Sequence, residues 1–185
     1  MISFKAPAAL AILIGGLQPG AAYANDLFNS GPSVFNYNYV ELKFIDTSSA
    51  EGFGLFGSAD YKENIALQVD YTGLSGDADF VTGLVTWHKQ AAKFPQADWL
   101  LSGGLQAGDI NGNDDVGIIL SAGARYAVSD PLEVSGSLAL STLFDTDLSF
   151  NLKALYEVAT GFSALVEANL SDDTSIALGV RFYWR

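Results

Sequence analysis

The 185-residue chain has no cysteine, a single methionine and a single histidine, His88. Without cysteine there can be no disulfide framework, thiolate nucleophile or cysteine-based zinc site. With one histidine, a catalytic zinc centre or a paired-histidine active site has too few ligands to assemble. Positive charge is also scarce: 9 Lys and Arg stand against 21 Asp and Glu, a formal charge of −12. That balance argues against nucleic acid as a partner, because phosphate binding needs clustered basic residues. Charged residues make up only 16% of the chain and hydrophobic residues 49%. So apolar a chain can build a core and is not a disordered polyelectrolyte. Yet no apolar run reaches the roughly 20 residues that a membrane-spanning helix needs.

What is present begins with a leader. Lys5 supplies a positive start, Ala8 to Ile14 a short apolar stretch, and Ala22-Tyr23-Ala24 a small-x-small cleavage pattern. Residues 1–24 are therefore expected to be a secretory signal peptide, and 25–34 a periplasmic N-terminal segment.

From residue 35 onward the chain alternates with a period of two, the mark of strands with two unlike faces. In 65–72, Ile65, Leu67, Val69 and Tyr71 oppose Ala66, Gln68, Asp70 and Thr72. The expected strands cover 35–45, 52–60, 64–72, 79–88, 98–108, 115–127, 131–142, 147–158, 161–170 and 174–184. Eight strands is the alternative count. Glu41, Lys43, Asp60, Asp70, Arg125, Glu133, Lys153, Glu157, Glu167 and Arg181 all fall in the polar phase of these strands. Alternation alone does not say which face points outward.

Three observations favour apolar-out. The polar face is mostly Gly, Ser, Ala, Thr and Gln, which suits a narrow barrel interior better than a hydrated surface. Tyr61, Trp87, Trp99, Tyr126, Tyr156, Phe162 and Trp184 fall at strand ends on one side, the pattern of an interfacial aromatic girdle. The connections on the two sides differ in length and charge. The expected fold is all-β: a closed antiparallel transmembrane up-and-down barrel over 35–185, with short acidic extracellular loops.

Specific residues carry a resemblance. Asn38-Tyr39-Val40-Glu41-Leu42 resembles the opening strand of the small outer-membrane β-barrel superfamily of Gram-negative bacteria, the OmpA-like and OmpX-like porin-family domains. Gly52-Phe53-Gly54-Leu55 resembles the usual start of their second strand. The ending Gly179-Val180-Arg181-Phe182-Tyr183-Trp184 is similar to the C-terminal signal read by the barrel assembly machinery. The resemblance implies outer-membrane location, contact with lipid and lipopolysaccharide, and Gly179, Phe182 and Trp184 as the assembly signal. It hardly constrains activity, because the superfamily holds many functions.

Other motifs reduce to structure. Gly52 to Gly57 spells G-x-G-x-x-G, but no βαβ unit surrounds it to hold a pyrophosphate. Asp109-Ile110-Asn111-Gly112-Asn113-Asp114-Asp115 spaces oxygen ligands as a calcium loop does, yet lacks the distal glutamate and suits a turn better. No cofactor or enzymatic activity is expected, and a monomer is. The strand charges are read as a lumenal salt-bridge network filling the barrel. A narrow cation-preferring pore and a surface-loop adhesin are the alternatives. Eleven acids and no Lys or Arg fall on the expected outer connections and their flanks. Among them Asp109, Asp114, Asp115, Asp172 and Asp173 are expected to form a rim able to recruit a divalent cation.

Overall fold

A computed structural model describes residues 33–184. The expected signal peptide and residues 25–32 of the N-terminal segment lie outside the described residues. Ten strands follow one another: β1 Tyr39–Thr47, β2 Glu51–Lys62, β3 Ile65–Leu74, β4 Ala78–Ala91, β5 Phe94–Ile110, β6 Asn113–Ser129, β7 Leu132–Ser141, β8 Asp147–Ala159, β9 Phe162–Leu170 and β10 Ser175–Tyr183. Each pairs antiparallel with its chain neighbours, and β10 returns to β1, closing the barrel. Among the described residues there is no helix.

The period of two sets the two faces. Along β6, Val116, Ile118, Leu120 and Ala122 are exposed, while Gly117 and Arg125 are buried. Leu120, near the middle of β6, is 55% exposed. Every strand contributes apolar side chains to this outer surface, which would be untenable in water and is what a lipid-facing barrel wall requires. The inner face is small or polar, with Leu155 and Leu165 buried against it. Closure depends on close backbone approach at the last seam. There Gly179 lies opposite Lys43, and a Cβ on it would overlap the Leu42 carbonyl oxygen.

Connections are short at both ends. At the end carrying the chain termini they cover 63–64, 92–93, 130–131 and 160–161; at the opposite end, 48–50, 75–77, 111–112, 142–146 and 171–174. Asn111 and Gly112 both have positive φ, 56° and 80°, as a two-residue hairpin turn of the primed type demands. Asp109 Oδ1 accepts a hydrogen bond from the Gly112 amide at 2.7 Å, so this acidic stretch is a hairpin turn.

Three strand ends differ from the sequence reading by more than two residues. The expected first strand at 35 begins only at Tyr39, because 33–38 leaves the sheet and enters the barrel mouth. The expected long link at 89–97 is only 92–93: β4 and β5 keep pairing through Gln90↔Asp98 and, beyond a register shift, Ala91↔Phe94. Its polar residues suggest a loop because this hairpin tip stands beyond the apolar band.

Leu120→Arg should destabilise the barrel in a bilayer by about 2–4 kcal/mol, the range for a cation at mid-depth on the lipid face. Asp130→Arg, in a terminal-end turn, should cost less than about 1 kcal/mol. Denaturant titration in liposomes checks both; equal losses would mean that β6 does not present Leu120 to lipid.

Candidate functional site

The inner face carries one connected run of ion pairs. From β3 round to β6 it reads Asp70–Lys43 (3.6 Å), Lys43–Glu167 (3.4 Å), Glu167–Lys153 (3.0 Å), Lys153–Glu41 (2.8 Å), Glu41–Arg181 (2.5 Å), Arg181–Glu133 (3.5 Å) and Glu133–Arg125 (2.5 Å). Acids and bases alternate along it, four of each. Glu41 is fully buried and takes Arg181 on one oxygen and Lys153 on the other. Asn151 donates to the second oxygen of Glu167 at 2.7 Å. Each buried charge of this run thus has an opposite neighbour, the condition on which ions survive away from water.

Eight of the ten sequence-predicted lumen charges meet in this run. The other two do not join it. Asp60 instead lies 3.2 Å from His88 Nε2 near the terminal end. Glu157 is exposed and lines the terminal mouth, because the twist of β8 carries its last residues past the packed interior.

The strap over that mouth was not evident from the sequence. Residues 33–38 cross the opening, and the side chains of Phe35, Tyr37 and Tyr39 stack along the Arg125 guanidinium at 4.5, 5.0 and 5.7 Å from their ring centres. Arg125 also donates to the Asn36 carbonyl (3.3 Å) and the Tyr183 hydroxyl (3.2 Å) while gripping Glu133 with two nitrogens. Tyr37 lies flat on His88, ring centres 3.7 Å apart, and donates to Asp98 Oδ2 at 2.9 Å. The Ser33 hydroxyl donates to the same oxygen. The available signal was the aromatic spacing Phe35-x-Tyr37-x-Tyr39, which reads equally well as a strand.

The opposite mouth is capped by apolar side chains. Connection 142–146 folds inward so that Leu143 and Phe144 pack with Phe80 over Gly108. Gly117 leaves the room: a Cβ there would sit 2.5 Å from the Leu143 amide nitrogen. Between the caps, hydroxyls and amides on β2 to β5 and β7 satisfy one another. Thr86 donates to Gln68 (2.7 Å) and contacts Ser102 (2.8 Å), and Ser141 donates to Gln106 (2.5 Å).

The aromatic set Tyr61, Trp87, Trp99, Tyr126, Tyr156, Phe162 and Trp184 lies towards the terminal end, on the outward phase of its strands. Tyr61, Tyr126, Tyr156 and Trp184 are exposed, and Phe162 packs on Phe182. At the other end Asp109 and Asp114 face each other across the β5–β6 ladder, Asp115 accepts from the Phe144 amide, and Asp172 and Asp173 lie exposed in 171–174. Among the described residues no three acidic or histidine side chains converge on a metal-sized site. Asp109, Asp114 and Asp115 belong to the β5–β6 hairpin, and Asp172 and Asp173 to the β9–β10 connection. A cavity of about 580 Å³ opens at the terminal mouth beside the strap, with Arg125, Glu133, Ser163 and Tyr183 in its wall.

No protein-family model matches the chain. No curated protein matches it either. Solved structures do resemble it: the KdgM porin in complex with disordered oligogalacturonate (TM-score 0.53, 10% identity, 80% of this chain and 99% of that one) and the KdgM porin alone (0.52, 12%, 80% and 99%). A de novo designed transmembrane β-barrel also resembles it (0.50, 14%, 83% and 100%). The chain has the fold of the outer-membrane β-barrels; the OmpA-like and OmpX-like group is not singled out among its neighbours.

Glu41→Ala should cost about 3–5 kcal/mol, because Arg181 and Lys153 stay buried without their shared carboxylate. Asp172→Ala, in an exposed connection, should change stability by less than about 0.5 kcal/mol. Unfolding midpoints compare the two, and equal shifts would mean a water-screened lumen.

Proposed function

We propose that the protein is a small integral outer-membrane barrel whose lumen is occluded, with a structural role in the membrane and no enzymatic activity. The supporting observation is the self-neutralising charge run closed off at both mouths, by the 33–38 strap and by Leu143 and Phe144. A ten-stranded barrel has little interior beyond what side chains fill, so caps at both ends leave no evident aqueous path. In this reading the terminal end faces the periplasm, and the aromatic set there anchors the wall at the headgroup level. Lipid and lipopolysaccharide surround a monomer exported by its signal peptide, and Gly179, Phe182 and Trp184 serve the assembly machinery. Connections this short offer an adhesin little surface.

The second reading is a narrow pore for ions or small solutes, and the cavity at the terminal mouth favours it. Planar-bilayer recording separates the two. The wild type should give no stable unitary conductance. A persistent conductance would establish the pore, and the acidic opposite rim would then make it cation-preferring.

A further inference from the structure

Beneath the strap lies a buried carboxylate that no cation among the described residues pairs with. Asp98 is fully buried, and its Oδ2 holds Tyr37 and Ser33 while Oδ1 has no hydrogen-bond partner. None of the ion pairs found among the described residues includes it. Arg125 sits opposite Asp98 in the β5–β6 ladder but turns its guanidinium to Glu133. A carboxylate removed from water in this way strongly favours a compensating positive charge.

Further unsatisfied groups gather on the same side. His88 is 3% exposed, and neither ring nitrogen makes an aligned hydrogen bond; Asp60 stands 3.2 Å from Nε2 but outside hydrogen-bond geometry. Asp98 lies two residues along β5 from Leu100, the register partner of His88, and Tyr37 touches both side chains. The turn residue Asn64 accepts the His88 amide proton on its backbone carbonyl, and its side-chain oxygen is also buried without a partner. Asp98 Oδ1, Asn64 Oδ1 and one nitrogen of a neutral His88 are all acceptors. Asp98 supplies the negative charge, with Asp60 on the far side of His88, and the ring of Tyr37 covers His88. Such a set suits a small cation that carries several N–H donors in different directions, better than a bare metal ion needing three converging ligands.

We infer that Asp98, His88 and Asn64, beneath Tyr37, form a binding site for an ammonium group, free or at the end of a small primary amine reaching the terminal mouth. Tyr37 and Ser33 hold the strap closed over it through the oxygen of Asp98 that the ammonium does not need. This assignment is independent of whether the lumen conducts.

The test measures the thermal midpoint of the refolded full chain in micelles at fixed ionic strength. The salts compared are ammonium, methylammonium, tetramethylammonium and sodium chlorides. Ammonium and methylammonium should raise the midpoint by about 2 °C or more over the other two, as expected when a ligand binds only the folded state. Tetramethylammonium has the charge without the donors, and sodium has charge alone. Asp98→Asn should abolish the preference. Four equal midpoints, or a preference that survives Asp98→Asn, would overturn the site. Should Asp98→Asn fail to refold, Asn64→Gly decides, a change that the positive φ of this turn residue tolerates. It removes an acceptor that the site needs, so the preference for ammonium must shrink, and an unchanged or larger one refutes the assignment. Failure of the occluded-lumen reading shows instead as conductance in sodium chloride, whatever the salt preference.

Discussion

A closed ladder whose outer wall is apolar leaves one place for charge between its two ends, and that place is narrow. Glu41, with no exposed surface, could not stay ionised there alone; its two oxygens are taken by Arg181 and Lys153. Much of the interior follows from that requirement. Lys153 must reach a second acid, Glu167, and Glu167 in turn draws in Lys43 and Asn151. The alternation of sign along the run is therefore a condition of burial, since the loss of any member between its two ends would leave two like charges facing each other in a medium that screens poorly.

The two ends are closed by different physics. At the terminal end a polar device operates: aromatic rings ride on the Arg125 guanidinium, and a buried carboxylate holds a phenol and a hydroxyl. At the opposite end, Leu143 and Phe144 turn inward over glycines that leave them space. Phe144 takes a positive φ of 59° to make that turn, and its amide is held by Asp115. One acid of the expected rim thus serves as a loop anchor.

The barrel was legible because its signal is periodic. Ile65 to Thr72 alternate cleanly, and a slip by one residue would put Asp70 into lipid, so register and inside-outside sense are fixed together. Most lumen charges were legible for the same reason, as charge in an alternating strand has only one face to occupy. The misses have local causes. Glu157 has the right parity but sits beyond the packed interior, and parity carries no information about depth. Asp98 and His88 stood at expected strand ends beside Lys89 and Lys93, where a polar cluster suggests a loop. Phe35 and Tyr37 alternate like strand residues, but their rings settle on Arg125 and His88 across the mouth. The stretch 109–115, by contrast, reads as a turn despite its metal-loop composition, and Asn111 and Gly112 take the dihedrals of a tight hairpin.

The pairs at the heart of the lumen join residues far apart in the chain: Glu41 to Arg181 across 140 positions and Glu41 to Lys153 across 112. During synthesis the first strand therefore exists long before either of its counter-ions. A sheet of β1 to β7 inserted alone would expose Glu41 with neither Lys153 nor Arg181 to neutralise it, and would have an open edge as well. Stepwise entry into the bilayer, strand by strand, is unfavourable for this sequence. Its biogenesis has the character of a threshold event, in which the final strand completes the hydrogen-bond ladder and the electrostatic circuit at the same moment.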